Sequence, residues 1–209
     1  MFFLNLGQFP DLKELEKIRE LFVHRNTCLR SMDEISEWPG LEEPGVRSAA
    51  VLVPLINYPN EVTVLLTKRS SSLSDHAGQV AFPGGQMEPT DVSPEGTALR
   101  EAEEEVNLDP SKIELIGRLT PRKTRTGFHV MPVVGILQPP LNFKADPAEV
   151  DVVFEVPLKK LALESNFSLE EIYRDGNKRS YWVFNHDSFF IWGLTARILK
   201  EFSSLLRSL

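Results

Sequence analysis

A cluster of glutamates on one predicted helix has the clearest potential for chemistry in this sequence. The helix begins well, because Ser93 can cap free backbone N–H groups and Pro94 suits the first helical position. At about 100° per residue, the apolar side of this helix carries Leu99, Ala102 and Val106. The opposite side carries Glu101, Glu104 and Glu105. The pattern predicts that three carboxylates lie within reach of a common point while the apolar side packs on a core.

Such a cluster opposes helix formation, since Glu101 and Glu105 are like charges four residues apart and cost roughly 0.2–0.5 kcal/mol. Hard divalent cations prefer oxygen ligands, and Mg²⁺ is commonly held by a few carboxylates together with substrate phosphate oxygens. The alternative is a solvated acidic face, which is the commoner role of a glutamate run. The preceding loop Phe82-Pro83-Gly84-Gly85 favours the metal site, because glycine lets the backbone approach a metal ion or a phosphate.

The loop and helix together resemble the Nudix box, whose pattern is G-x5-E-x7-R-E-U-x-E-E-x-G-U, with U a bulky aliphatic residue. Gly85 begins the match, and residues 100–105 form its R-E-U-x-E-E core. Asp91 stands where the first Glu belongs, with one extra residue between it and the core. Ala102 is small for U, and Asn107 replaces the last Gly, although Asn tolerates the left-handed conformation common at a helix end.

Residues 65–85 resemble a second signature, L-L-T-x-R-S-x3-R-x3-G-x3-F-P-G-G, which is typical of the coenzyme A pyrophosphatase branch of the Nudix superfamily. Ser74 replaces an arginine of that signature, and one phosphate contact is lost with it. Asp91 with the extra residue after it, and the later segment Ile191-Trp192-Gly193-Leu194-Thr195-Ala196, resemble the same branch. The resemblance covers about residues 49–199.

The resemblance implies metal-dependent attack of water on a diphosphate, with Mg²⁺ or Mn²⁺ as the cofactor. Glu101 and Glu105 become the main metal ligands, and Glu104 a further ligand or the group that orients water. The Gly84 carbonyl is a further ligand by analogy. Arg100 is expected to orient the carboxylates by ion pairing. Glu103 points elsewhere on the helix and is expected to matter little.

The implied substrate is coenzyme A or an acyl derivative, cleaved to adenosine 3′,5′-bisphosphate and 4′-phosphopantetheine or its acyl form. Glu149, in a predicted loop, is the candidate general base, with simple solvent exposure as the alternative. The candidate phosphate contacts are Lys68, Arg69, Arg122, Lys123 and Arg125. A basic run such as residues 122–125 is more often only a solvated loop. The rival functions are another Nudix specificity (ADP-ribose, NADH or a nucleoside triphosphate) and a non-catalytic Nudix-like binding module.

Three further side chains near the motifs have both a structural and a functional interpretation. Phe82 and Phe128 could stack on adenine, but core packing is the expected role of both. His76 is expected to be a hydrogen-bonded structural residue rather than a substrate contact.

Hydrophobic periodicity predicts both strands and helices in this chain, and a hairpin between the first two strands. The predicted strands are residues 49–56, 62–67, 113–119, 130–137, 150–156 and 181–184. The predicted helices are residues 11–29, 94–106 and 191–206. The resemblance implies an α/β fold, a Nudix-type α/β/α sandwich with a mixed sheet plus an N-terminal and a C-terminal helix. We divide the chain into an N-terminal helix and linker (1–46) and a hydrolase domain (47–209).

The bulk properties of the 209 residues limit the partners that we expect. A net charge of −7 argues against a general nucleic-acid or anionic-membrane binder. The lone Cys28 fits a reducing compartment, and neither a signal peptide nor a spanning apolar run is expected, which favours a cytoplasmic protein. The helix at 11–29 is expected to pack on the main domain, with a homodimer contact as the alternative.

Overall fold

The computed structural model describes residues 12–24, 46–174 and 176–209. The helices are α1 (Leu12–His24), α2 (Pro94–Val106), α3 (Leu158–Ala162) and α4 (Gly193–Leu206). The strands up to the middle of the chain are β1 (Arg47–Asn57), β2 (Val62–Arg69), β3 (Val80–Ala81), β4 (Gly84–Gln86), β5 (Ile113–Arg118) and β6 (Arg122–Lys123). The remaining strands are β7 (Phe128–Leu137), β8 (Val150–Pro157), β9 (Phe167–Arg174), β10 (Asn177–His186) and β11 (Phe189–Trp192).

The main sheet is mixed, and its strands run in the order β3-β2-β1-β7-β5. β1 and β2 form the predicted antiparallel hairpin, whereas β1 and β7 pair in parallel over ten residues. Three strands pair off this path, β4 with β1, β6 with β7 and β8 with β2. β9, β10 and β11 form a separate antiparallel sheet.

Helices cover both faces of the main sheet, which confirms the predicted α/β/α sandwich. On one face α2 packs through Ala98, Ala102 and Val106 against β1 and β7. On the other face α1, α4 and the small sheet share a second apolar cluster with the main sheet. The central strands are therefore apolar on both faces, as sheets covered on both sides require.

Both ends of α2 follow the local chemistry that the sequence predicts. The Gly96 N–H donates to the Ser93 Oγ at 3.1 Å. At the other end Asn107 adopts the left-handed conformation (φ 59°, ψ 37°), and its N–H donates to the Glu103 carbonyl at 2.9 Å. These caps fix where the helix begins and ends, and hence which way its glutamates point.

Helix α1 packs on the main domain, as expected. Leu15, Ile18 and Phe22 are buried in the cluster shared with α4, and Arg19 forms a two-pronged ion pair with Glu114 of β5 (2.9 and 2.6 Å). Val23, in contrast, is 61% exposed. Residues 11 and 25–29 of the predicted helix, and the linker up to residue 45, lie outside the described residues.

Several elements differ from those predicted. Residues 122–123 form the short strand β6 instead of a loop, and no counterpart was predicted for β3, β4, β9, β11 and α3. Helix α4 begins at Gly193, because the preceding Ile191 and Trp192 still pair with β10. The strands β6, β9 and β11 each pair with a strand next to them in the chain, and hydrophobic periodicity does not report such hairpins. In the part of the chain that the structure describes, no helix has the length and apolarity needed to cross a membrane.

We expect Ile18→Ala to lower the free energy of unfolding by about 2–5 kcal/mol, because it leaves a cavity under a fully buried side chain. Val23→Ala on the exposed side of the same helix should change it by about 0.5 kcal/mol or less. Denaturant unfolding of both variants tests the docking of α1. Equal effects at the two positions would contradict it.

Candidate active site

The glycine pair lies on β4, the short strand of the main sheet that α2 contacts. Gly84 and Gly85 pair with Val51 and Ala50 of β1. A Cβ on Gly84 would stand 2.4 Å from the Ala50 carbonyl oxygen, and one on Gly85 would stand 2.3 Å from the Glu101 Oε1. Any other residue would push the carboxylate away, so glycine is what allows backbone and carboxylate to meet here.

Glu105 is the most deeply buried acid of the helix, at 2% exposed. The Gly84 N–H donates to its Oε2 at 3.3 Å, and the Arg69 Nη1 lies 3.6 Å from its Oε1. Burial raises the pKa of Glu105 to about 8, although the Arg69 charge and the Gly84 N–H oppose the shift. The neighbouring charges of Glu101 and Glu149 add to the rise in this pKa.

Glu101 shares this environment with Glu105. Its carboxylate lies against Gly85 and 3.0 Å from the Arg100 Nη1. Burial raises the pKa of Glu101 as well, against the opposing charge of Arg100, and the charges of Glu104 and Glu149 contribute to the rise. Two carboxylates are thus held beside one loop, where ionisation of one disfavours ionisation of the other.

Glu104 is the most exposed of the three, at 57%, and its carboxylate accepts from the Arg100 Nη1 at 2.8 Å. The same Nη1 lies 3.0 Å from the Glu101 Oε1, so one guanidinium nitrogen bridges the two carboxylates. Across residues 12–24, 46–174 and 176–209, no three His, Cys, Asp or Glu side chains are grouped so that they could hold a metal ion. The metal site formed by three glutamates stays a prediction.

Arg100 is fixed from the other side by Asp91, the residue that stands in for the first glutamate of the box. Its Nε and Nη2 donate to the two Asp91 oxygens at 3.1 and 3.0 Å. Asp91 also accepts from the Thr97 hydroxyl and the Glu88 N–H, and the Arg100 hydrogen bonds hold its pKa below the ordinary value. The shorter aspartate thus provides a complete anchor, and Arg100 has the geometry expected of an orienting residue.

Glu149 lies near Glu101 and Glu105, in the loop that precedes β8. The loop is tied to the end of α2, because the Asp146 N–H donates to the Glu105 carbonyl at 2.9 Å. It is also tied to β2, since the Ser70 N–H donates to the Glu149 carbonyl at 2.8 Å. The half-buried carboxylate lies near enough to raise the pKa of both Glu101 and Glu105.

The chemistry of these groups fits a divalent cation. The donors are carboxylate oxygens, the kind that Mg²⁺ and Mn²⁺ prefer. Burial makes the ionised forms of Glu101 and Glu105 unfavourable without an added positive charge. A cation bound by these two carboxylates would remove that penalty.

The candidate phosphate contacts are scattered. Arg69 lies against Glu105, and Lys68, the next residue in the strand, starts towards the opposite face of the sheet. Arg122 forms an ion pair with Glu201 of α4, which also accepts from the Thr120 N–H and hydroxyl. Lys123 and Arg125 are exposed.

The strand β6 lies at the same end of the sheet as the glycine pair. Gln86, Ala49, Val130 and Arg122 are neighbours in four successive strands. At about 4.8 Å per strand, Gln86 and Arg122 are roughly 14 Å apart. The basic run at residues 122–125 therefore begins at the same end of the sheet as the glycine pair.

The remaining predicted side chains have structural contacts. Phe82 is 3% exposed in the core, as expected, and His76 lies 3.1 Å from the Gln79 amide oxygen through its Nδ1. Phe128 is half-buried beneath the Arg47 guanidinium, 3.9 Å from its ring centroid. Sequence reasoning missed Glu201, whose place on a polar helix side gives no hint that it meets Arg122.

Comparisons with known protein sequences identify one family. The NUDIX domain model matches residues 46–178. The chain is 46% identical over 155 residues to the "Uncharacterized Nudix hydrolase NudL" of Escherichia coli strain K12, covering 74% of this chain and 80% of the relative. A solved MutT/nudix family protein from Enterococcus faecalis is 18% identical with a TM-score of 0.49, over 96% of this chain and 76% of that one.

We expect the metal-free protein to lose stability as pH rises from about 4.5 to about 8. The folded-state pKa of Glu105 lies above its unfolded value, so its stabilising contribution is complete below about pH 4.5. That contribution falls by up to about 1.4 kcal/mol per pH unit until the folded pKa is passed. Denaturant unfolding at about pH 5.5 and about pH 8.5, with a chelator present, measures the change.

Glu105→Gln is the control for this experiment, because the amide has the same shape and does not titrate. Its stability should change less between the two pH values than that of the unaltered protein. An identical pH dependence in both proteins would contradict the raised pKa of Glu105.

Proposed function

Because the chain belongs to the NUDIX domain family, we propose that it is a metal-dependent hydrolase of a diphosphate bond, acting at the Gly84–Gly85 loop and α2. One observation carries the proposal: the Glu105 carboxylate is buried against the Gly84 N–H, beside a second buried acid, Glu101. Placing two carboxylates together away from water opposes folding, and such an unfavourable arrangement is typical of a functional site, here one that binds a cation.

Each residue of the site receives one role. Glu101, Glu105 and the Gly84 carbonyl would hold Mg²⁺ or Mn²⁺, which supplies charge neutralisation of the diphosphate and a more acidic attacking water. Glu104 would act as a further ligand or orient the water after leaving Arg100. The Glu104 side chain is 57% exposed, which leaves it free to rotate in this way.

The proton of the attacking water goes to Glu149 in this proposal. Its position beside both buried glutamates supports the role, and its loop is held by hydrogen bonds to β2 and α2. Arg100, anchored on Asp91, would orient the Glu101 carboxylate by ion pairing.

We propose coenzyme A or an acyl derivative as the substrate, with adenosine 3′,5′-bisphosphate and (acyl-)4′-phosphopantetheine as products. The signature at residues 65–85 supports this choice. Hydrolysis leaves a 3′-phosphate on the nucleotide, so a second anion contact away from the cation is needed. Lys123 and Arg125, at the same end of the sheet, are the better candidates, because both are exposed whereas the Arg122 side chain is only 19% exposed.

Another Nudix specificity, such as ADP-ribose or NADH, is the nearest alternative. A non-catalytic binding module is less favoured, since the chain keeps Glu101, Glu104 and Glu105. All site residues fall within 47–209, which we take as the catalytic domain, with 1–46 as an N-terminal extension. A cytoplasmic location suits the lone Cys28, and assembly as a homodimer is a further hypothesis.

A substrate panel tests the proposed function. With Mg²⁺ or Mn²⁺ present, we expect the highest kcat/KM for coenzyme A or an acyl derivative, and no turnover after chelation. Mass spectrometry should identify adenosine 3′,5′-bisphosphate among the products. Faster cleavage of dephospho-coenzyme A, ADP-ribose or NADH would refute the substrate assignment while leaving the diphosphatase chemistry in place.

Glu105→Gln should lower kcat at least about 100-fold, because even residues that only support metal ligands cost about 10–100-fold. Glu103→Gln is the matched control, since Glu103 is an exposed acid on the same helix and its change should leave kcat near the original value. Steady-state kinetics at saturating cation measures both. An unchanged kcat in Glu105→Gln would contradict the role of Glu105 as a metal ligand. Absence of turnover with every dinucleotide, in the unaltered protein and in both variants, would favour the binding module.

A further inference from the structure

Arg69 occupies a special place at the end of β2. The pairing of β2 with β8 is interrupted by a bulge between Lys68 and Arg69, where residue 151 is left without a partner in the ladder. Bulges change the direction of the side chains around them and are common beside active sites. The backbone of Arg69 is held firmly, since its N–H donates to the Gln79 carbonyl and its carbonyl accepts from the Gly78 N–H (2.9 and 3.1 Å).

The side chain of Arg69 points to the α2 side of the sheet. Leu65, four residues earlier on the same strand, packs with Ala102 and Val106 of that helix. Since side chains two and four positions apart share a face, Arg69 projects towards α2 and Lys68 away from it. From the sequence alone, Lys68 and Arg69 are equally good candidates for a substrate contact, whereas the fold places their side chains on opposite faces of the sheet.

The Arg69 guanidinium meets Glu105 and stands three-quarters buried. Its Nη1 lies 3.6 Å from the Glu105 Oε1, and its buried Nε has no hydrogen-bond partner among the described residues. The separation is too long for a hydrogen bond, so the contact is an electrostatic attraction between a buried cation and a buried anion. Its positive charge also counteracts the effect of burial on the pKa of Glu105.

We propose that Arg69 is a positioning residue that holds the Glu105 carboxylate beside the Gly84–Gly85 loop, rather than a contact for the substrate's 3′-phosphate. A buried carboxylate without a counter-charge is strongly unfavourable, so removing Arg69 would displace Glu105 or leave it uncompensated. An arginine already engaged at the carboxylates has little reach left for a phosphate elsewhere on the substrate. The substrate part of this inference rests on the proposed function, whereas the Arg69–Glu105 coupling does not.

A double-mutant cycle on the metal-free protein tests the coupling. At a fixed pH, we expect Arg69→Gln to lower the unfolding temperature by roughly 5 °C or more. In the Glu105→Gln background, the same change should cost less than about a third as much. Additive losses in the two backgrounds would overturn the proposal.

Two variants keep this cycle interpretable. Arg179→Gln removes the same charge from β10 in the small sheet, and its effect should be the same with either residue at position 105. If Arg69→Gln fails to fold, Arg69→Lys serves in its place, because lysine keeps the charge but not the planar fork. Its smaller loss should vanish in the Glu105→Gln background, and a loss that persists there would overturn the proposal.

Kinetics with two substrates separates positioning from phosphate recognition. Arg69→Gln should lower kcat/KM about 10–100-fold for coenzyme A and by the same factor for dephospho-coenzyme A. A loss confined to coenzyme A would make Arg69 a 3′-phosphate contact and overturn the proposal. If the unaltered protein cleaves neither compound, the proposed function fails, and the stability cycle still decides whether Arg69 acts through Glu105.

Discussion

The burial of the Glu105 carboxylate against the backbone of Gly84 is the contact on which the rest of the site depends. A charged group in this position is unfavourable unless something compensates it, and the surroundings supply several partial compensations. The Gly84 N–H and the Arg69 guanidinium both lie beside the Glu105 carboxylate, and the lack of a side chain on Gly85 leaves space for Glu101. These groups belong to β4 and β2, so the site exists only when the sheet and α2 are assembled together.

The position of α2 follows from small residues and from its caps. Ala98 and Ala102 are fully buried against the sheet, and Ala102 stands where the motif has a bulky aliphatic residue. A small side chain there lets the helix approach β1 closely, which brings its acidic side level with β4. The segment after the helix satisfies two of its last carbonyl groups. The Lys144 N–H donates to the Val106 carbonyl, and the Asp146 N–H donates to the Glu105 carbonyl.

The sequence predicted well those features that neighbouring residues control. The start of α2 at Ser93, its end at Asn107 and the β1–β2 hairpin depend on local chemistry and were confirmed. Side-chain partners across the fold were not accessible in this way. Arg100 bridges Glu101 and Glu104, whereas Arg69 meets Glu105, and the residue types alone do not assign these partners. Strand β6 and the late start of α4 were not predicted, because both depend on pairing in short hairpins that hydrophobic periodicity does not report.

The charges of the site also constrain how a reaction there must be ordered. Asp91, Glu101, Glu104, Glu105 and Glu149 are five carboxylates, and the guanidinium groups that meet them are those of Arg69 and Arg100. The excess of negative charge attracts a divalent cation and repels a diphosphate. A phosphorylated substrate is therefore opposed by the same field that favours the cation, until cations reverse its sign. Both arginines are already paired with carboxylates, so their charges do not make the site positive. Attraction of the anionic substrate therefore depends on bound cations and on basic residues elsewhere on the sheet.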